Sequence, residues 1–373
     1  MSMYFTAVGE LGFNPEDSKV PWFRSGTSKN GQKYQSINIS VIAAKNNRIF
    51  SSAFGIKSTE IKTRDTGNNN ISVAWEDRLD KDVVDSVAGV SKYVANITGN
   101  DRKEFIAGWD FVEYLKENKE ELSKGTYIVR GQVKPNIYKG KVSQSFDIQS
   151  VIKADEDAKN RIDVTTDIFY KADDVDVADF STEKKVYING FTSEYISDLK
   201  KNQYMPLQVI FNCSKLDEEN EKHMNRRNFN FKLMGIEAKE NKLSVKLKAK
   251  KVYKLGIVCA YVNGAEEVPF DESALTENQK MAISLGLNTL DDFRPKGQIY
   301  GARSISYNIK QINLSKYPDG VEDTEMTIAE FEDDIYSTSN VETTDVIEKA
   351  AKEETKKAAP SEDDDPDLED LFS

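Results

Sequence analysis

The sequence predicts a mainly β protein with a few helices (α+β), arranged as two β-rich barrels in tandem and a disordered acidic C-terminal tail. Three observations predict it. Alternating polar and apolar residues recur in both halves of the 373-residue chain, the period of strands with one face in a core. Helical spacing is confined to short stretches. Charge is segregated: residues 321–373 hold 19 acidic residues against four lysines, net −15, which leaves +3 for residues 1–320 of a chain whose total is −12. A chain of this length has room for two domains.

The first domain spans residues 1–155. Ser28 to Lys33 reads as a turn with an Asn30-Gly31 hairpin signal, and Gln35 to Ile42 alternates as a strand. The apolar run from Asn47 to Phe54 reads as a further strand. Residues 103–122 read as one helix: Phe105, Trp109, Val112 and Leu115 recur at three- and four-residue spacing, and Gly125 stops it. Strands follow at Tyr127 to Val133, Pro135 to Val142 and Phe146 to Val151, around a glycine-containing hairpin.

Residues 153–185 carry ten acids against six bases, and 156–185 read as an acidic linker. The second domain, 186–320, alternates at Lys185 to Phe191, Leu207 to Phe211, Asn228 to Leu233, Leu243 to Ala249 and Tyr253 to Val262. Thr276 is a good N-cap for a helix running to about Leu285, and a last strand covers Gln298 to Leu314. The remaining 321–373 repels itself and has little to bury, so disorder is expected. Its tip, 362–373, sets Asp363, Asp364, Asp365, Asp367 and Asp370 beside Leu368, Leu371 and Phe372. That is charge for steering with an apolar anchor for a partner's pocket.

Composition argues against catalysis. One histidine, His223, leaves no Ser-His-Asp, Cys-His or multi-histidine zinc arrangement. No Walker-type phosphate loop occurs. The acid pairs Asp291-Asp292 and Asp333-Asp334 are adjacent, the pattern of solvated residues more than of a metal cage. No enzyme, metal or cofactor is therefore expected. Cys213 and Cys259 lie far apart without Cys-x-x-Cys spacing and suit a reduced, cytoplasmic setting. Met1 to Phe5 has no secretory pattern, and no apolar run approaches the ~18 residues of a membrane span.

A single nucleic-acid strand offers phosphates to Lys and Arg and base faces to aromatic rings. Four windows interleave the two. Residues 19–64 hold nine basic residues against Glu60, with Trp22, Phe23 and Tyr34 beside Arg24, Lys29 and Lys33. The hairpin around Tyr138 carries Lys134, Lys139 and Lys141, with Arg130 in the strand before it. Residues 222–254 hold eleven basic residues against two acids, with Arg226, Arg227 and Lys232 flanking Phe229 and Phe231, which as a strand would share one face. Residues 294–316 hold five bases and no acid, punctuated by Tyr300, Arg303 and Tyr307.

The stretch Leu122-Ser123-Lys124-Gly125-Thr126-Tyr127-Ile128-Val129-Arg130-Gly131-Gln132-Val133 resembles the helix exit and fourth strand of the OB-fold in bacterial single-stranded DNA-binding proteins. The acidic tail with an apolar tip is similar to that family's tail. The bacterial proteins end in Pro-Phe and have one OB domain; here the tip is Leu371-Phe372-Ser373 and two domains are expected, closer to phage-type relatives. The resemblance implies two OB-like β-barrels and single-stranded DNA binding with little sequence preference in replication, recombination and repair. It also implies capture of partner proteins by the tail, and self-association on DNA. Two other readings fit the composition: a phage structural or assembly protein whose basic faces meet protein, and a metal-dependent nuclease.

Overall fold

In the computed structural model, residues 3–138, 141–196, 200–239, 242–264, 275–285, 293 and 304–336 are described. Strand β1 (Met3–Gly12) is followed by β2 (Phe23–Thr27), β3 (Lys33–Ala44) and β4 (Asn47–Ile56). A β5–β6 hairpin (Glu60–Arg64, Asn70–Ala74) and helix α1 (Lys81–Ser86) lead to β7 (Tyr93–Asn96) and β8 (Lys103–Phe105). Helices α2 (Gly108–Glu117) and α3 (Lys119–Leu122) precede the long hairpin of β9 (Thr126–Tyr138) and β10 (Lys141–Lys153). Then come β11 (Arg161–Tyr170), β12 (Val175–Asp176), α4 (Phe180–Glu183), β13 (Lys185–Ile196) and β14 (Lys201–Asn212). Helix α5 (Glu221–Leu233) is followed by β15 (Ile236–Lys239), β16 (Lys242–Val245) and β17 (Tyr253–Gly264). The described chain closes with α6 (Glu277–Ser284), β18 (Ser304–Ile312), β19 (Glu322–Asp323) and α7 (Ile328–Asp333).

Two five-membered rings of strands emerge from the pairing. β1, β3, β4, β10 and β9 close on β1, every pair antiparallel except β4 with β10. β11, β13, β14, β18 and β17 close on β11, every pair antiparallel except β14 with β18. Numbered within each ring in chain order, both run 1-2-3-5-4, and each inserts a helix, α2 or α5, between its third and fourth strands. The rings are joined by β1 pairing antiparallel with β11, from Tyr4 opposite Thr165 to Val8 opposite Arg161.

Local chemistry explains the first ring. Gly31, at φ 75°, supplies the left-handed turn between β2 and β3. The core-facing residues of β3 and β4 include Ile37, Ile39, Val41, Ile49 and Ala53, all buried. Helix α2 lies across β4 because two glycines meet there. A Cβ on Gly55 would sit 2.3 Å from the Trp109 nitrogen, and one on Gly108 would sit 2.4 Å from the Phe54 carbonyl.

Several expectations need correction. The helix expected over 103–122 divides: Lys103 to Phe105 pair with β7 as β8, and α2 parts from α3 where Asn118 adopts a non-helical backbone and donates its side-chain amide to the Tyr114 carbonyl at 2.8 Å. The acidic stretch 156–185 is no bare linker. It contains β11, which buries Ile162, Val164, Ile168, Phe169 and Tyr170 while its acids meet bases from the same ring: Asp163 with Lys310 at 2.7 Å, Asp167 with Lys316 at 2.6 Å. Asn228 to Leu233 is helical, not a strand. Asn220 caps α5 by accepting from the Lys222 and His223 amides, and helical spacing buries Phe231 while leaving Phe229 exposed. The strand expected over 243–249 ends at Val245. α6 forms with the expected cap, Thr276 and Gln279 bonding each other reciprocally.

The first part of the expected tail, 321–336, is structured. Segment 324–336 lies over β13 and β14, with Phe331 fully buried against Tyr204 at 4.6 Å and Phe191 at 5.2 Å. Lys171 and Lys201 hold Glu332 and Asp334 at 2.7 and 2.8 Å. The tip residues 362–373 lie outside the described residues.

Candidate nucleic-acid interface

Adjacent strands β3 and β4 present one outward face built by alternation. On β4 the outward positions are Arg48, Phe50, Ser52, Phe54 and Ile56, and Tyr34, Ser36 and Asn38 stand across from them on β3. Phe50 and Phe54 are 55% and 54% exposed, far above what large aromatics in a packed core show. Tyr34 stacks on Phe54 with ring centroids 5.9 Å apart and planes 24° from parallel. Two rings on one open sheet face, with a third beyond them, form a platform for flat ligands.

Cations border this platform. Lys33 and Arg48 lie at its strand ends and are exposed. The β5–β6 hairpin turns Lys62 and Arg64 outward while Ile61 and Ile71 pack onto a satellite cluster with Val73, Val87 and Ile106. Between hairpin and platform lies a groove of about 950 Å³ lined by Phe54, Ile56, Lys62, Arg64, Trp75 and Tyr93, among others. Arg78 stacks over Trp75 at 4.2 Å and forks onto Asp110 at 2.9 and 3.0 Å, so the wall of this groove is braced.

The candidate residues fall into distinct groups. Tyr34 joins the platform. Lys29 and Lys33 are exposed on the β2–β3 hairpin beside it. Phe23 is half-buried under Lys116, whose ammonium sits 4.6 Å above the ring, and Arg24 donates to the Lys19 carbonyl. Trp22 is core: 5% exposed, edge-on to Phe13 at 5.8 Å, with the Lys119 ammonium 4.3 Å above its ring. Its ring faces are already taken. Arg130 is exposed but lies on β9, which borders neither β3 nor β4. Lys134 pairs with Asp147 at 2.6 Å. Tyr138 and Lys141 pair in backbone register at the end of the β9–β10 hairpin, and Lys139 lies outside the described residues.

The second ring's candidates are more dispersed. Arg227 is buried, packed on Phe180 and Phe231 and bonded to Asn228, so it is a structural cation. Arg226 and Lys232 are exposed on α5. Tyr307 is 5% exposed and donates its hydroxyl to Gln144 of the first ring. Tyr300 and Arg303 lie outside the described residues. Basic residues counted from sequence as one field are partly consumed by neighbours: Lys246 pairs with Glu237 at 2.9 Å, and Lys254 with Asp167 at 3.4 Å.

Sequence reasoning missed Phe50 and Phe54. The run Asn47 to Phe54 reads as a strand, and both faces of it carry apolar residues; the missing information was which face the core takes. The serines at 51 and 52 fall one on each face and do not decide it; the one discriminating residue is Arg48, a charge in the same row as Phe50 and Phe54.

Both cysteines are buried and reduced, and burial pushes the Cys213 thiol up to about 11. Among the described residues, no cluster of three or more metal-ligating side chains occurs and no helix is long and apolar enough to cross a membrane.

No protein-family model matches the sequence, and no curated protein matches it. Two solved structures of the single-stranded DNA binding protein from Thermus aquaticus overlap with it. A deletion mutant aligns at TM-score 0.28 and 9% identity, covering 70% of this chain and 87% of its own. The wild-type protein aligns at TM-score 0.26 and 8% identity, covering 74% and 97%. Overlap this slight carries no argument about the present chain.

Proposed function

We propose that this protein binds single-stranded DNA with little sequence preference, laying the strand along the outward face of β3 and β4. The observation that carries the reading is the row of Tyr34, Phe54 and Phe50 on one outward face of two paired strands, the last two more than half exposed, bordered by Lys33, Arg48, Lys62 and Arg64. Aromatic rings take base faces regardless of sequence, and the flanking cations take phosphates.

Topology supports the same reading. A five-stranded closed sheet with a helix between strands three and four is the OB-like arrangement, and such barrels bind oligonucleotides on the face of strands two and three. Those strands are β3 and β4 here. In this reading the chain is two OB-like barrels, one ending near residue 155 and the other beginning at β11 and reaching about 320. The acidic tip with Leu368, Leu371 and Phe372 serves in this reading to recruit replication or recombination proteins, and the setting is cytoplasmic.

The test is titration of labelled oligo(dT) at several salt concentrations, followed by fluorescence anisotropy. With about five phosphates neutralised, log K falls against log salt with a slope of about −3.5. Absence of binding at low salt refutes the proposal. Loss of the labelled strand on adding Mg²⁺ marks a nuclease instead.

A further inference from the structure

A second cavity of about 620 Å³ opens where the two rings meet, within the range of ~300–1,000 Å³ typical of small-ligand sites. Its lining includes Phe50 and Gln144 from the first ring and Gln208, Asn263, Ile305 and Tyr307 from the second. Its floor is a chain of edge-on rings: Phe146 meets Tyr261 at 5.4 Å, and Tyr261 meets Tyr307 at 5.1 Å. Phe50 and Ile305, 55% and 59% exposed, give it two open apolar sides.

The chemistry of this cleft differs from that of the platform groove. Lys62 and Arg64 line the groove, whereas no charged side chain lines the cleft among the described residues. A phosphate entering the cleft would leave water without a counter-charge, which is costly. A flat, neutral group with hydrogen-bonding edges fits: apolar faces meet Phe50 and Ile305, and edges meet the Nε2 donor of Gln144 and the Oε1 acceptor of Gln208, whose other amide atoms bond Tyr307 and Asn189. The cleft is also continuous with the platform. Phe50 and Phe54 share the outward side of β4, four residues and so ~13 Å apart, one bordering the cleft and the other the groove.

We propose that the cleft between the rings is a nucleobase pocket, taking one unstacked base of a strand that runs along β4 while its phosphates stay outside. This rests on the single-stranded DNA reading and adds to it a contact made by the second ring.

The test uses the full chain with oligo(dT) carrying 5-iododeoxyuridine, photocrosslinked and mapped by peptide mass. Adducts are expected on the β4 peptide and on the β18 peptide containing Ile305, Ser306 and Tyr307. Adducts on β4 alone, with binding intact, overturn the pocket and leave the platform standing. No binding at all overturns both. As a second arm, Ser306→Trp fills the cleft. It is expected to weaken oligo(dT) about tenfold and to leave an abasic oligomer of equal length bound as in wild type. Equal affinities of variant and wild type for oligo(dT), or equal losses on both ligands, overturn the pocket. If the tryptophan prevents folding, the crosslinking arm decides.

Discussion

Tyr34 and Phe54 stack diagonally across the β3–β4 pair, since Tyr34 stands opposite Ile56 and Phe54 opposite Ser36. Diagonal neighbours on one sheet face lie within reach of large rings. The pair therefore holds Phe54 in a fixed orientation while half of its surface remains in water. That combination suits a stacking partner better than a core residue.

Replacing Phe50 or Phe54 by alanine should weaken oligo(dT) binding by ~1–3 kcal/mol each, the range for one lost base stack. Both side chains are already largely exposed, so thermal unfolding should shift little. Unchanged affinity in the double variant would show that the platform is not used.

Trp22→Ala should act oppositely. Its ring fills the core between Phe13 and Lys119, so removal should cost ~3–5 kcal/mol of stability. Urea unfolding reads that loss directly. By contrast, Trp75 borders the groove, and oligo(dT) should quench its fluorescence. Quenching that survives Trp75→Phe would place the strand elsewhere.

Much of this was legible in sequence, and the failures are physical. Gln35 to Ile42 announces its strand because one side is core and the other is wet. Segment 228–233 misleads, because Phe229 and Phe231 are two apart, and only the buried Arg227–Phe231 stripe reveals helical spacing. β11 hides behind Asp163 and Asp167, whose partners Lys310 and Lys316 lie about 150 residues on. Of the rings in the cationic and aromatic window over β2 and β3, Tyr34 stands on the outward face beside Phe54, whereas Trp22, which looks exposed after Pro21, is buried. Sequence shows that an aromatic is present, while its use depends on which neighbours fold over it.

Glu194 supplies a pH prediction. It is buried, its carboxylate accepts the Met3 amide at 3.0 Å, and burial raises its pKa with that amide opposing. The folded state therefore holds the proton more tightly than the unfolded chain, whose pKa is ~4.3. The stability it contributes is full below that value and is lost as pH rises through the folded pKa. The urea midpoint of wild type relative to Glu194→Gln should fall across that interval. A flat difference would sink the assignment.

In the proposed reading the acidic tip competes with DNA for the cationic border of the platform, so deleting Glu362 to Ser373 should tighten oligo(dT) binding. The gain should shrink at high salt. Equal or weaker affinity in the truncated chain would rule out that competition.

Phe331 bears on how the duplicated architecture is used. Both rings repeat one topology, yet in the second one end of the strands matching β3 and β4, at Phe191 and Tyr204, lies beneath Phe331, whose acidic neighbours are held by Lys171 and Lys201. In the proposed reading the two copies are therefore not equivalent: the first offers its whole outward β3–β4 face, and the second only the part of β14 that Phe331 leaves uncovered, at the cleft. The footprint on DNA should accordingly match that of one barrel plus a margin, within ~4–16 nucleotides, instead of doubling.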